Sequence, residues 1–220
     1  MKALTAWWAR RAAAAEPATR WIVLDVETSG LDVEHDRLLA IAGIALDLSA
    51  GPPVIRLGDS FELLLRQQEA VQTPDEAARA NILLHGIGLA AQRGGRPAAE
   101  ALQAFAAWVG EAPLLAFHAP FDRAMIQRDM QRLLGRRLRN RWADLAPVAA
   151  ALHPMPGAGS LDDWMARFGI RCAQRHRAAA DTLATAELLL RLWPTLNARG
   201  ETRFADLQAM GRAGRWLGGL

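Results

Sequence analysis

Two carboxylates stand at the end of a short apolar run in the stretch "WIVLDVETSGLD". Residues 21–24 are β-forming and typical of a strand buried on both faces, and Asp25 and Glu27 follow directly. Residues two apart lie on the same face of a strand, so these two negative charges are neighbours. Such a pair can face solvent or cap a turn. It can also hold a hard divalent cation, which prefers oxygen ligands and relieves the repulsion between carboxylates.

Two later segments carry further acids and a histidine. The segment "FHAPFDRAMI" places Asp122 in the first turn of a helix that follows a strand. The segment "HRAAADTLATAELLL" places Asp181 five residues after His176, again at the start of a helix. Four acids and one histidine therefore stand at the ends of predicted elements, and this decides in favour of a metal site.

In this order, the three segments resemble the motifs of the DEDD superfamily of 3′→5′ exonucleases, and specifically its histidine branch. The motifs are "LDVETSGLD", "HAPFDRAMI" and "HRAAAD". The resemblance continues in "HGI", "WADLAPVAAAL" and "SLDDWMARFGI" and covers residues 20–192. The sister branch uses a tyrosine where this one uses histidine, and the chain contains no Tyr.

The resemblance implies a role for each of these residues. Asp25, Glu27, Asp122 and Asp181 would hold two divalent ions, Mg²⁺ or Mn²⁺, with Asp122 acting largely through ordered water. Such a pair of ions can activate water and stabilise the departing 3′ oxygen in phosphodiester hydrolysis. His176 would be the general base, since an imidazole with an ordinary pKa of about 6.5 accepts a proton near neutral pH.

The segment after the first motif is implied to bind the terminal nucleotide. It comprises Thr28, Ser29, Gly30 and Leu31. Gly30 would allow a close turn, and backbone groups would contact the nucleotide. Leu31 would wedge against the terminal base, and an ordinary core position for Leu31 is the alternative.

The second motif departs from the family pattern at one position. The family carries Asn four residues before the motif's Asp, where this chain has His118. Histidine can also form hydrogen bonds, but it has another shape and it titrates. We expect His118 and Phe121 to contact the substrate, with His118 packed beside the sheet edge as the alternative.

Composition restricts the class of protein. With 220 residues and 51% hydrophobic content, the chain can bury one good core. We expect an N-terminal helical extension at 1–20, an exonuclease domain at 21–195 and a C-terminal helical tail at 196–220. Apolar runs long enough for a membrane span are absent from the sequence, and the single Cys172 cannot form an internal disulfide. A cytoplasmic protein without a membrane partner is expected.

The order of elements predicts an α/β fold. The resemblance implies the RNase H-like three-layer fold, in which helices flank a central mixed β-sheet. The first three strands of this sheet are antiparallel, and other strands are parallel. Thr73, Pro74 and Glu76 predict one helix start, and Ser160 with Asp163 predicts another. The predicted strands are 21–24, 38–46, 61–65 and 113–117, and the later helices are 97–109, 120–134, 160–169 and 177–192, the last ending before Pro194.

These features predict a metal-dependent 3′→5′ exonuclease that degrades single-stranded nucleic acid, DNA favoured, to nucleoside 5′-monophosphates. The alternatives are a proofreading subunit with a DNA polymerase partner, an RNA-processing exoribonuclease, and an inactive nucleic-acid-binding domain. The isoelectric point of about 10.2 exaggerates the basicity, because the net charge is only +3. Two arginine clusters could follow a phosphate backbone. The first comprises Arg128, Arg132, Arg136, Arg137, Arg139 and Arg141, and the second comprises Arg171, Arg175 and Arg177. A solvated helix face is the alternative for the first cluster.

Overall fold

A computed structural model describes residues 19–67, 75–155 and 159–217. Six strands form one sheet in the order β4-β3-β2-β1-β5-β6. β1, β2 and β3 form an antiparallel meander, whereas β5 runs parallel to β1, β6 parallel to β5 and β4 parallel to β3. The strands are β1 (Arg20–Thr28), β2 (Leu38–Asp47), β3 (Val54–Arg66), β4 (Arg96–Pro97), β5 (Leu114–Ala116) and β6 (Trp142–Asp144). The predicted mixed sheet is confirmed.

Helices cover both faces of this sheet. They are α1 (Glu76–His85), α2 (Leu89–Gly94), α3 (Ala98–Val109), α4 (Ala119–Leu134), α5 (Leu145–Leu152), α6 (Leu161–Phe168), α7 (Ala178–Arg199) and α8 (Phe204–Leu217). α7 packs against β1 and β2, and α8 packs against α5 and β6. The capping box predicted for α6 is present, since Ser160 and Asp163 bond each other's backbone N–H groups.

The side chains of β1 divide between two apolar clusters. Trp21 and Val23 pack with α5, α6 and α7 on one face, and Ile22 and Leu24 pack with α3 and α4 on the other. Because helices cover both faces, the strand is a continuous apolar run rather than an alternating one. The two-residue period then directs Asp25 and Glu27 to the α7 face.

The structure corrects two predicted helix ends. α7 does not end at Leu192 but continues through Pro194 to Arg199. An internal proline costs about 3 kcal/mol, and the burial of Trp193 and Leu196 in the core offsets this. α1 begins at Glu76, and its cap is Asp75, whose side chain accepts from the Ala78 N–H. Thr73 and Pro74 lie outside the described residues.

The division of the chain at residues 20 and 195 stays a prediction. Residues 1–18 lie outside the described part, and β1 begins at Arg20. α7 crosses residue 195, and Phe204 and Leu207 are buried in the same cluster as α7. None of the helices in the described ranges is long and apolar enough to span a membrane. β4, β6, α2 and α5 are elements that our prediction did not include.

Candidate active site

Three carboxylates meet at the C-terminal end of β1. One oxygen from each of Asp25, Glu27 and Asp181 lies within 4.8 Å of the others. Asp181 comes from the first turn of α7, the helix that packs over this face of β1. The structure thus brings two of the sequence motifs, about 150 residues apart, into one cluster, which we call the acidic cluster.

Asp122 lies beside the acidic cluster in the first turn of α4 and is only 4% exposed. It reaches the cluster because β5, the neighbour of β1, leads directly into α4. Its negative charge raises the pKa of Asp25, so the two carboxylates are electrostatic neighbours. The structure therefore places all four predicted acids in one region.

Burial and mutual repulsion raise the pKa values of three of these acids, Asp25, Glu27 and Asp122. The pKa of Asp25 lies well above its ordinary value, first because of burial and then because of Asp122, Glu27 and Asp181. Burial, with Asp181, raises the pKa of Glu27 to about 8. Burial also raises the pKa of Asp122, although backbone N–H groups of Asp122 and Val26 act in the opposite direction. The fold thus concentrates acidic groups whose charges it compensates only in part.

Arg175 is the basic side chain that reaches the acidic cluster. Its guanidinium contacts Asp181, and its Nε lies 2.5 Å from Asp162 Oδ1 on α6. This charge lowers the pKa values of Asp25 and Glu27, but by less than burial raises them. The arginine is held by two carboxylates, so it is not free to bind a phosphate as predicted for its group.

His176 contacts the acidic cluster through its backbone. Its main-chain N–H donates to Asp181 Oδ2 at 3.1 Å, and its φ of 60° lies in the left-handed region, which is uncommon for a residue with a side chain. The pKa of Asp162 is lowered first by its bond to Arg175 and then by the nearby charges of Arg175 and His176. The structure therefore places His176 beside the acids, at the turn between Asp162 and Asp181.

His118 lines the cleft in front of the acidic cluster, together with Asp25, Gly159, Arg175 and Asp181. Its φ of 61° is left-handed, a conformation in which Asn and His are enriched. Its N–H donates to Asp144 Oδ1 at 3.0 Å, and its Nε2 lies 2.9 Å from the Gly159 carbonyl oxygen. His118 therefore orders the loop at this position while its ring faces the cleft.

The turn after β1 is tied together by short polar contacts. The Thr28 hydroxyl donates to the Gly30 carbonyl at 2.6 Å, and the Ser29 hydroxyl donates to Asp36 Oδ1 at 2.7 Å. A Cβ at Gly30 would lie 2.7 Å from the Asp36 Cγ, so a larger residue does not fit without a shift. Leu31 is 85% exposed, which excludes the core position that was the alternative to a wedge.

The structure shows other contacts for Phe121 and Arg128, which were predicted to meet the substrate, and for His85 of the "HGI" segment. Phe121 is partly buried and packs against the cluster formed by β1, α3 and α4. His85 is buried, accepts from the Ile87 N–H and contacts Asn81, so it stabilises the end of α1. Arg128 donates to the carbonyls of Val33 and Asp36, and fastens the 31–37 loop rather than presenting a free cation.

Sequence reasoning gave no role to Asp144, Asp36 or Asp162, each of which positions part of the site. Asp144 caps α5 and holds His118, and its place before a helix was the available signal. Asp36 orders the turn that carries Leu31, and Asp162 anchors Arg175. The last two contacts join distant or irregular segments, so no local pattern indicates them.

The residues of the acidic cluster fit a divalent cation. All three ligands are carboxylates, the donor type that hard cations such as Mg²⁺ and Mn²⁺ prefer. The raised pKa values of Asp25 and Glu27 indicate a shortage of positive charge at the place where the oxygens converge. A cation there would relieve the repulsion.

Among curated proteins, the chain is similar to a DNA polymerase III subunit epsilon-like protein of Rhodobacter capsulatus, with 33% identity over 90% of this chain. It is also similar to a DNA polymerase III PolC-type protein of Bacillus subtilis, with 29% identity over 78% of this chain. The chain spans only 27% of the first protein and 11% of the second. The likeness is thus to one part of much longer proteins.

Among solved structures, the fold is similar to that of E. coli Exonuclease I in complex with a dT13 oligonucleotide. The TM-score is 0.66 at 19% identity, over 82% of this chain and 42% of that chain. This likeness confirms the predicted RNase H-like fold. The family model for Exonuclease (RNase T) matches residues 22–189, which include all four acids and His176. The chain therefore belongs to the Exonuclease family, within the DEDD superfamily of 3′→5′ exonucleases.

Proposed function

We propose that this chain is a metal-dependent 3′→5′ exonuclease of the histidine branch, which hydrolyses single-stranded nucleic acid, DNA in preference, to nucleoside 5′-monophosphates. Family membership supports the reaction class. The observation that carries the proposal is the convergence of Asp25, Glu27 and Asp181 within 4.8 Å at the end of a strand. Acids with raised pKa values in a cleft are typical of a functional site.

Asp25, Glu27 and Asp181 would hold the cations, and Asp122 would support them from α4. When bound, two Mg²⁺ or Mn²⁺ ions supply activation of water and stabilisation of the leaving 3′ oxygen. Asp25 is central in this arrangement, because the charges of Asp122, Glu27 and Asp181 all act on it. Bound cations would keep all four carboxyl groups ionised, because a nearby positive charge favours the charged form. A mechanism that needs a protonated carboxyl group as its acid therefore does not fit this arrangement.

His176 would accept the proton of the attacking water. Its backbone bond to Asp181 holds it next to the acidic cluster, and an imidazole titrates in the range that a general base needs near neutral pH. Asp162 and Arg175 position the turn that carries it. These two residues are positioning residues, and His176 is the proposed catalytic one.

The terminal nucleotide would lie against the turn formed by Thr28, Ser29, Gly30 and Leu31. Leu31 offers an exposed apolar side chain to a base, and His118 faces the same cleft. The Exonuclease I structure holds a dT13 oligonucleotide, which supports single-stranded DNA as the substrate. The two polymerase relatives support a second role, in which the chain serves a DNA polymerase partner as its proofreading exonuclease.

The test uses matched DNA and RNA strands that carry a 5′ label, with Mg²⁺ present or chelated. We expect a ladder of products shortened from the 3′ end, release of mononucleotides, faster cleavage of DNA, and no reaction after chelation. A closed circular single strand is the control and should stay intact. Cleavage of the circle would contradict the requirement for a 3′ end, and metal-independent cleavage would contradict the assignment of the acids.

A further inference from the structure

A groove with a basic rim runs between α4, β6 and α8, next to the active site. It has a volume of about 620 Å³, and we call it the α4–α8 groove. Arg123 from α4, Arg137 from the loop before β6 and Arg212 from α8 stand around it. All three side chains are exposed. Within the described ranges, no carboxylate pairs with any of the three guanidinium groups.

The groove shares a wall with the catalytic cleft. Ala119 and Pro120 line the groove, and the preceding residue, His118, lines the cleft in front of the acidic cluster. Asp122 and Arg123 are consecutive on α4, one beside the acids and the other at the groove. A molecule whose end lies in the cleft therefore has the groove as its immediate neighbour.

Hydrogen bonds hold the walls of the groove in place. Gln127 on α4 forms two bonds of 2.9 Å with the backbone of Leu138, which fixes the loop that carries Arg137. Gln208 on α8 donates to the Trp142 carbonyl oxygen at 3.0 Å, which ties α8 to β6. The three arginines are thus presented by fixed elements, which reduces the entropy cost of binding.

The charge of the groove favours an anionic occupant. Asp144 is the carboxylate that also lines it, but this residue is buried and its Oδ1 accepts from the N–H groups of His118 and Ala146. The guanidinium group forms paired hydrogen bonds with phosphate and keeps its charge at every physiological pH. Other arginines near the cleft are engaged, Arg175 by Asp162 and Asp181 and Arg128 by loop carbonyls.

We propose that the α4–α8 groove binds the sugar-phosphate backbone of the substrate strand on the 5′ side of the terminal nucleotide. This inference rests on the proposed exonuclease function, because a strand held by its 3′ end can extend only in the 5′ direction. Arg123, Arg137 and Arg212 contact successive phosphates without reading the bases. The groove therefore increases affinity for long strands and adds little for a dinucleotide.

The test compares two triple variants with the same change in charge. The first is Arg123→Gln/Arg137→Gln/Arg212→Gln, and the control is Arg93→Gln/Arg191→Gln/Arg199→Gln, three exposed arginines that do not line the groove. Fluorescence anisotropy gives the dissociation constant of a long single strand and of a dinucleotide against salt concentration, each in an Asp25→Ala background. The KM for a long strand is measured in the catalytically competent background.

We expect the groove variant to bind the long strand at least about tenfold more weakly, and to lose more affinity for the long strand than for the dinucleotide. The slope of log affinity against log salt should fall by about 0.7 for each phosphate contact removed. The KM for the long strand should rise by a similar factor. The control variant should retain wild-type affinity, slope and KM.

Equal behaviour of the two triple variants, while the wild type digests DNA, would overturn the groove proposal alone. Absence of digestion by the wild type would overturn the exonuclease function, and with it this inference. Competition by an acidic peptide for the groove, with strand binding unaffected by the variant, would assign the groove to a protein partner instead. If the triple variant melts early, Arg212→Gln and Arg137→Gln are measured singly, each with an expected loss of one phosphate contact in the salt slope.

Discussion

The two ends of β1 both involve carboxylates, but in opposite electrostatic states. At the first end, Arg20 forms bonds of 2.7 and 2.8 Å with Asp59, and Trp108 Nε1 donates to the same carboxylate at 2.8 Å. The bond from Arg20 is the main reason that the pKa of Asp59 is lowered. At the other end, Asp25 and Glu27 lie among further acids, and their pKa values are raised.

The same chemical group, a carboxylate, thus stabilises the fold at one end of β1 and is available for function at the other. Asp59 is compensated inside the chain, so its charge favours the folded state. Asp25 and Glu27 are incompletely compensated, so their charges oppose folding until something positive binds. The fold tolerates this repulsion between carboxylates because the two apolar clusters on either side of β1 stabilise the strand.

The largest expected effect follows from removing the central acid. Asp25→Ala should lower turnover by at least about 10³-fold, because the cations lose the ligand on which the charges of the other three acids act. The fold should stay intact, since the change removes repulsion. Nucleotide release and the melting temperature are the measurements, and Asp59→Ala is the matched change at the other end. Normal turnover in Asp25→Ala would contradict the assignment of the cluster.

Replacing the proposed base should have the next largest effect. His176→Asn should lower turnover by about 10² to 10⁴ near neutral pH, the usual contribution of a positioned general base. Part of the rate should return at high pH, and cation binding should survive because the ligands are carboxylates. The rate-pH profile and the melting temperature decide the matter together. A destabilised variant with near-normal turnover would make His176 a purely structural residue.

Glu27→Gln should stabilise the metal-free protein. The folded-state pKa of Glu27 is raised from 4.5 to about 8, so between these values the unfolded chain has released a proton that the folded protein still binds. The metal-free protein therefore loses stability as pH rises from about 4.5 towards 8. The variant should remove this loss and gain roughly 1–3 kcal/mol at pH 8, less than the full shift because the side chain is partly accessible.

Denaturant unfolding of both proteins in chelator, at pH 5 and at pH 8, measures that gain. Added Mg²⁺ should stabilise the wild type more than Glu27→Gln, because the variant has lost a ligand. Equal stability of the two proteins at pH 8 without metal would show that Glu27 is already compensated, and the contrast between the two ends of β1 would fail.

Asp59→Ala should have the smallest effect and the opposite sign. It should destabilise the protein by about 1–2 kcal/mol at pH 7, because Arg20 loses its ion pair and Trp108 Nε1 loses its acceptor. Turnover should stay unchanged. The folded-state pKa of Asp59 is lowered, so the stability it contributes is present above its ordinary pKa of 3.8 and is lost as pH falls through the folded value. Unfolding curves at pH 7 and pH 3 test this, and a stabilised variant would contradict it.

The amino-acid sequence by itself determined the type of fold and the location of the acidic cluster. A strand ends in Asp25 and Glu27, and two helices begin near Asp122 and Asp181, so the acids are local features of elements that the sequence predicts. The order and spacing of these motifs then indicated the family. Short strands such as β6 were not predicted, because three residues carry too little pattern to be distinguished from a loop.

Tertiary structure alone decided which charges are free. The sequence shows the fifteen arginines from Arg123 to Arg212 as equals. Only packing reveals that Arg128 fastens a loop, that Arg175 joins two carboxylates, and that Arg123, Arg137 and Arg212 rim a groove. Likewise, the exposure of Leu31 depends on a loop that Asp36 and Arg128 hold. Each outcome depends on a contact between residues distant in the chain or in irregular segments, and neither the hydrophobic period nor local propensity contains that information.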